Sequence, residues 1–361
     1  MALCIYCNKQ AANSGEHVMP ACMGKFRNSE QLHDKLCIDC NNEIGKSDEQ
    51  FCRCGPEAFF RIIKGIKGRK HHERVNPFYR GSTGGKPIEI KMQHPYIENC
   101  EIFCETEEGA EKSYPARQVI VRDSNGKHHP ILIPNRIRET RDLQGELELK
   151  GIANSEFVEW WLSVGDGEKQ RRLIERLCAG LNGKIKWSET LPFQKTEKQN
   201  GVATFIVNSN YFQAIAKIAF HYFLKHFNQF TGCEREFDGI KQFIMNGGNP
   251  DRWVQQVKGS FVHSLNSRFI TTDKYCHLLA INKNYIDIRA MLHFFVGPKI
   301  GPHRYYEVFI GKNPERIIYP QNIGHQFVYF DKPDKEGYSG RIDQLLTTKI
   351  MPCKQQLFLI V

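Results

Sequence analysis

The strongest periodicity in the chain begins at Asn210. Phe212, Ile215, Ala216, Ala219, Phe220, Phe223, Leu224 and Phe227 recur at i, i+3, i+4 and i+7, the spacing of a core-facing helical stripe. Asn210 is the expected N-cap, with Gln213 three residues on as its capping-box partner. A shorter helix should follow, with Phe237, Ile240, Phe243 and Ile244 inside and Gly247 as its stop. A charged helix is expected over 168–181, where Leu173, Ile174, Leu177 and Cys178 share one side. Strands are expected at 99–105 and 117–134, the latter split by the turn signal Asp123-Ser124-Asn125-Gly126. Further strands are expected at 276–281, 285–296, 305–310, 326–330 and 357–361. The fold class is α+β: a small metal-stapled N-terminal module followed by a larger mixed domain.

A length of 361 residues with 40% hydrophobic, 11% aromatic and 25% charged residues is ordinary for a folded protein and excludes a disordered or coiled-coil chain. The richest apolar stretch, 211–227, is broken by Lys217, His221 and Lys225, so no membrane span or membrane partner is expected. No basic stretch followed by an apolar run opens the sequence, which predicts no secretory signal and a cytoplasmic protein. The formal charge of +10 is unevenly placed. Residues 1–60 carry 6 basic and 8 acidic side chains, whereas 61–86 carry 8 basic against one acid and five glycines. This segment reads either as a phosphate-touching arm, with Arg61, Lys64, Lys67, Arg69, Lys70 and Arg74 as its contacts, or as a solvated linker. The expected division is 1–58, a basic connector at 59–90, and 91–361.

Seven of the 13 cysteines fall in the first 54 residues, which in a reducing compartment points to metal rather than disulfides. Cys4-x2-Cys7 and Cys37-x2-Cys40 offer the four thiolates of a closed tetrahedral Zn²⁺ site. Such a staple suits about 55 residues that cannot bury enough core alone. Cys22, Cys52 and Cys54 are minor alternatives as ligands. Cys100-x3-Cys104 and Trp160-Trp161 read as ordinary buried residues, and His71-His72 as solvated polarity.

Between and after the zinc pairs lie Ser14-Gly15-Glu16-His17-Val18-Met19-Pro20, Gly24, and Cys37-Ile38-Asp39-Cys40-Asn41-Asn42-Glu43-Ile44-Gly45. An acid-His dipeptide with a Pro, then CxxCN with a Gly four residues on, resembles the HNH endonucleases of the ββα-metal superfamily, in the branch with a four-cysteine zinc site. The resemblance covers residues 4 to about 50. It implies His17 as the general base that activates water, and Glu16 and Asn41 as ligands of one catalytic Mg²⁺ or Mn²⁺, separate from the zinc. A base with a pKa near the working pH suits this chemistry. The family's central Asn would fall near Leu32 or His33. His33, Asn42 and Asp48 are supporting positions, Asp48 being two turns beyond Asn41 on one helix face.

The expected function is a DNA endonuclease of restriction or phage defence, with 91–361 recognising the target and a homodimer cutting both strands. One alternative is a nuclease gated by a small signalling ligand bound to that larger domain. Another is a zinc-dependent nucleic-acid-binding protein without catalysis.

Overall fold

The computed structural model describes residues 2–66, 89–94, 97–106, 113–133, 137–152, 157–163, 167–181, 184–187, 201–204, 207–259, 275–283, 286–296, 304–314, 323–328 and 337–341. The chain is α+β. It divides into two compact units, Met1–Pro87 with Ile206–Val361, and Ile88–Phe205. This partition differs from the expected one at 58 and 90. The N-terminal segment shares its unit with residues 206–361, and the intervening segment is a unit of its own.

In the first unit, β1 (Ser14–His17) pairs antiparallel with β3 (Gln31–Leu36), placing Glu16 opposite Leu32 and His17 opposite Gln31. β2 (Phe26–Arg27) leaves this hairpin to join a larger sheet. Helix α1 (Ile38–Cys54) starts where the Cys37 sulfur accepts the Cys40 N–H, with Asp39 in the first turn to suit the helix dipole. It stops before Gly55, and Pro56 opens α2 (Pro56–Ile63), where its missing N–H costs nothing.

The second unit holds two four-stranded sheets. One contains β4 (Glu89–Gln93), β5 (Glu101–Thr106), β6 (Ser113–Pro115) and a strand from its far end. The other contains β7 (Gln118–Asp123), β8 (His128–Leu132), β9 (Phe157–Ser163) and β10 (Lys184–Trp187). Helices α3 (Thr140–Leu149) and α4 (Gly167–Cys178) supply Leu143, Leu147, Ile174 and Leu177 to a core with Val119, Ile131 and Trp160. β11 (Gly201–Thr204) pairs with β4. Cys100 and Cys104 are buried here, which pushes their thiols up to about 11 and about 12.

The chain returns to the first unit in α5 (Ser209–His226), whose residues from Gln213 to Leu224 are all buried. A helix buried all round is a core helix, so its polar residues go inside with the rest. Its N-cap is Asn208, not Asn210, and no side chain caps it; Gln213 instead donates to the Ile244 carbonyl at 2.9 Å. α6 (Asp238–Asn246) ends at Gly247 with φ 74°, as its sequence signals. A seven-stranded sheet then assembles from β12 (Val254–Lys258), β13 (Cys276–Lys283), β14 (Asp287–Val296), β15 (Arg304–Lys312), β16 (Ile323–Val328) and β17 (Gly337–Arg341). Its order is β12-β15-β14-β13-β16-β17-β2. The strand expected at 357–361 lies outside the described residues. One apolar core joins Ile5, Val18, Leu32, Ile44 and Phe51 of the N-terminal segment to Ile215, Phe220 and Phe223 of α5 and Leu292 and Val308 of the sheet.

Within this core, the Glu57 carboxyl of α2 is hydrogen-bonded to the Tyr211 hydroxyl and, at 3.0 Å, to the Tyr306 hydroxyl, while the two hydroxyls lie 2.6 Å apart. Three oxygen–oxygen contacts need three protons, and the tyrosines supply two. A protonated Glu57 supplies the third. Burial pushes its carboxyl up to about 7, outweighing the tyrosine donors. Gly55 is required beside it, because a Cβ there would overlap the Tyr211 ring. Glu57 is raised when folded, so its contribution to stability is complete below the ordinary value of 4.5 and is lost as pH rises through about 7. Glu57→Gln is therefore expected to remove a decline of up to about 3 kcal/mol between pH 4.5 and 8 in denaturant unfolding. Parallel slopes for the two proteins would overturn that assignment.

Candidate functional site

The four cysteines of the two CxxC pairs meet. Cys4 and Cys7 sit on a loop that doubles back through a Leu3–Ala11 bridge. Its hydrogen bonds are Cys4 N–H to Gln10 O and Asn8 N–H to Cys4 O, both 2.9 Å. Cys37 and Cys40 open α1, and Gln10 Nε2 donates across to Asp39 Oδ2 at 2.7 Å, tying the two knuckles together. All four sulfurs lie within 4.8 Å of one another, with Cys7 and Cys37 at 3.9 Å. Zn–S bonds of about 2.3 Å in a tetrahedron separate sulfurs by roughly 3.8 Å. The set therefore fits a metal ion such as zinc.

The thiols' proton affinities differ widely. The Gln10 backbone N–H draws Cys7 down to about 7, whereas burial drives Cys40 far up. A divalent cation at their centre would hold all four as thiolates and displace their protons. Cys22 and Cys52 are not spare ligands: they pair with each other as a disulfide, against the expectation of metal alone. The Cys54 side chain lies outside the described residues.

Beside this cluster is a buried charge centre that the sequence did not announce. The ammonium of Lys217, fully inside α5, donates to Glu16 Oε1 of β1 at 2.7 Å and to Asp48 Oδ2 of α1 at 2.6 Å. Burial alone would strip its proton; the charges of Asp48 and Glu16 outweigh this and hold the ammonium above its ordinary range. Burial pushes Asp48 up to about 6, with Lys217 opposing and Glu16 adding. Its second oxygen, Oδ1, is buried without a hydrogen-bond partner.

One turn along α5, His221 Nε2 lies 2.8 Å from the Tyr6 hydroxyl. Burial and then Lys217's charge keep His221 neutral, while burial and then Glu16's charge keep Tyr6 protonated. The pair is thus a hydrogen bond between two neutral groups.

The other expected residues are placed as follows. Asn41, in the first turn of α1, donates from Nδ2 to Ser14 Oγ at 2.8 Å, linking helix and hairpin. His17 ends β1, with Nε2 3.2 Å from Gln31 Nε2. Strand alternation puts its ring and the Glu16 carboxylate on opposite faces of the hairpin. His33 and Asn42 are exposed, His33 standing over Gly15.

Mg²⁺ or Mn²⁺ on Glu16 and Asn41 would have to displace the Lys217 ammonium from Glu16 and the Ser14 hydroxyl from Asn41. Arg61 is used internally, donating to the Cys52 carbonyl at 2.8 Å, and the Lys64 ammonium lies 3.6 Å over the Tyr275 ring. Lys67, Arg69, Lys70 and Arg74 lie outside the described residues. Among the described residues, no helix is long and apolar enough to cross a membrane.

Two outcomes are expected. A mercurial thiol reagent should release one thiolate-bound zinc per chain, and Cys37→Ser should abolish that release; a wild-type chain that releases none would refute the tetrathiolate. Lys217→Met should cost about 3–5 kcal/mol in denaturant unfolding, because it strands two buried carboxylates. Adding Glu16→Gln and Asp48→Asn should recover most of that loss, and no recovery would mean that Lys217 acts otherwise than through these acids. No protein-family model matches the chain, and no curated protein or solved structure does so either.

Proposed function

We propose that the N-terminal segment acts on nucleic acid as an endonuclease of the HNH kind, with His17 as the base. The observation that carries this reading is the order and pairing of β1, β3 and α1 around one tetrathiolate cluster, with His17 at the hairpin's end and Asn41 bonded back to its first strand.

In this reading His17 takes a proton from the water that attacks phosphorus. Gln31 occupies the Nε2 lone pair that the base would use, so substrate must replace that hydrogen bond. A single neutral bond is worth about 1 kcal/mol net, which is a low barrier to replacement. The basic excess of residues 61–86 would supply phosphate affinity that falls steeply with salt. Recognition by 91–361 and a dimer remain part of the proposal.

A second reading is favoured by one observation. Glu16, the acid of the acid-His pair, is committed to Lys217, as it would be in a zinc-dependent nucleic-acid-binding protein whose dipeptide is structural.

Supercoiled plasmid at low salt separates the two, incubated with Mg²⁺, Mn²⁺ or EDTA, beside His17→Ala. The nuclease reading expects nicking that falls at least 100-fold in the variant, the usual contribution of a general base. Nicking that survives the change would remove His17 from the mechanism. Plasmid retardation without nicking would favour the binding protein.

A further inference from the structure

A second group of metal-ligating side chains lies in the first unit, away from both the thiolates and the Lys217 centre in its residues. Glu30 leads into β3, His226 is the last residue of α5, and His325 sits on β16. Their ligand atoms all lie within 4.8 Å of one another. Glu30 Oε2 is 2.9 Å from His226 Nε2 and 4.0 Å from His325 Nδ1. The two imidazole centroids are 5.6 Å apart at 49°, so the rings converge on the carboxylate and do not stack.

We propose that Glu30, His226 and His325 form a second metal site, which takes a divalent transition-metal ion through two imidazole nitrogens and one carboxylate oxygen.

Four features support it. First, the donor set is chemically specific: imidazole with carboxylate suits Zn²⁺ or Fe²⁺ over Mg²⁺ or Ca²⁺, which prefer all-oxygen shells. Second, the separations suit ligand bonds of about 2.0–2.2 Å to one shared centre. Third, His325 is oriented from behind, since its other nitrogen, Nε2, lies 2.8 Å from Ser339 Oγ on β17. Metal-bound histidines are characteristically fixed through their second nitrogen in this way. That bond turns Nδ1 toward Glu30, at a distance too long for a hydrogen bond between the two but short enough for a shared ion.

Fourth, the surroundings are protected yet reachable. Tyr222 packs 4.5 Å from the His226 ring and Phe327 4.8 Å from the His325 ring. The side chains are 20% exposed at Glu30, 10% at His226 and 3% at His325, which leaves an approach from the Glu30 side. Three protein donors leave further positions for water or a substrate atom.

The bland competitor is an ion pair between Glu30 and a protonated His226 at the C-terminal end of α5. Metal stoichiometry on the full chain separates the two. With the thiolate site filled by zinc, calorimetric titration with Zn²⁺ and absorbance titration with Co²⁺ should each show one additional ion per chain. His226→Gln and His325→Gln should each weaken that binding at least tenfold, while the mercurial-released zinc stays at one per chain. An unchanged thiolate zinc also keeps this test separate from any failure of the nuclease reading. If His325→Gln loses the thiolate zinc, and so has not folded, Glu30→Gln at the more exposed position decides. A wild-type chain that takes up no ion beyond the thiolate-bound one overturns the proposal, as do folded variants that bind the extra ion as tightly as wild type.

Discussion

The ammonium of Lys217 is the constraint on which the first unit depends. Two carboxylates, from β1 and α1, turn inward to the same point, and without a cation they would repel each other in a medium that screens poorly. The lysine arrives from the centre of α5, so its position fixes how hairpin, helix and core helix meet. Its charge also sets the protonation of what surrounds it. His221, one turn away, is kept neutral and shares a hydrogen bond with the Tyr6 hydroxyl, and Tyr6 lies against the cysteine cluster. A polar chain thus runs from the cysteines into the middle of an apolar core.

This arrangement changes what the zinc cluster is for. A free-standing zinc module needs its metal because it has no core of its own. Here β1 spans four residues and β2 two, too short to be stable alone, yet Val18, Leu32, Ile44 and Phe51 are buried against α5 and the large sheet. The thiolates then fix the start of α1 relative to the first loop, and α5 supplies the burial.

Much of this was legible in the sequence, and the parts that were not share a physical reason. The CxxC spacings located the metal ligands because their geometry is local. The stripe in α5 and the Gly247 stop located helices because periodicity and left-handed glycine are local too. Lys217 and His221 looked like interruptions of an apolar run, yet their separation of four residues on a helix buried all round was the one available signal of a polar centre inside the core. Gln213 satisfied a capping pattern by spacing, but tertiary contact drew it to Ile244. Arg61 carried the right charge for phosphate, and the Cys52 carbonyl claimed it. Glu30, His226 and His325 come from three distant segments, and no spacing rule reaches across that distance.

The split of the first unit around residues 88–205 has a consequence for how the chain is made. At synthesis rates of about 5–20 residues per second, roughly 8–40 s separate the emergence of Glu16 and Asp48 from that of Lys217. During that interval the two acids are solvated and the hairpin has no core to cover it, whereas the intervening unit, complete in its own contacts, is free to fold. Residues 2–66 therefore leave the ribosome well before the helix that buries them, and early capture of metal by their cysteines would keep them from collapsing elsewhere in the interval.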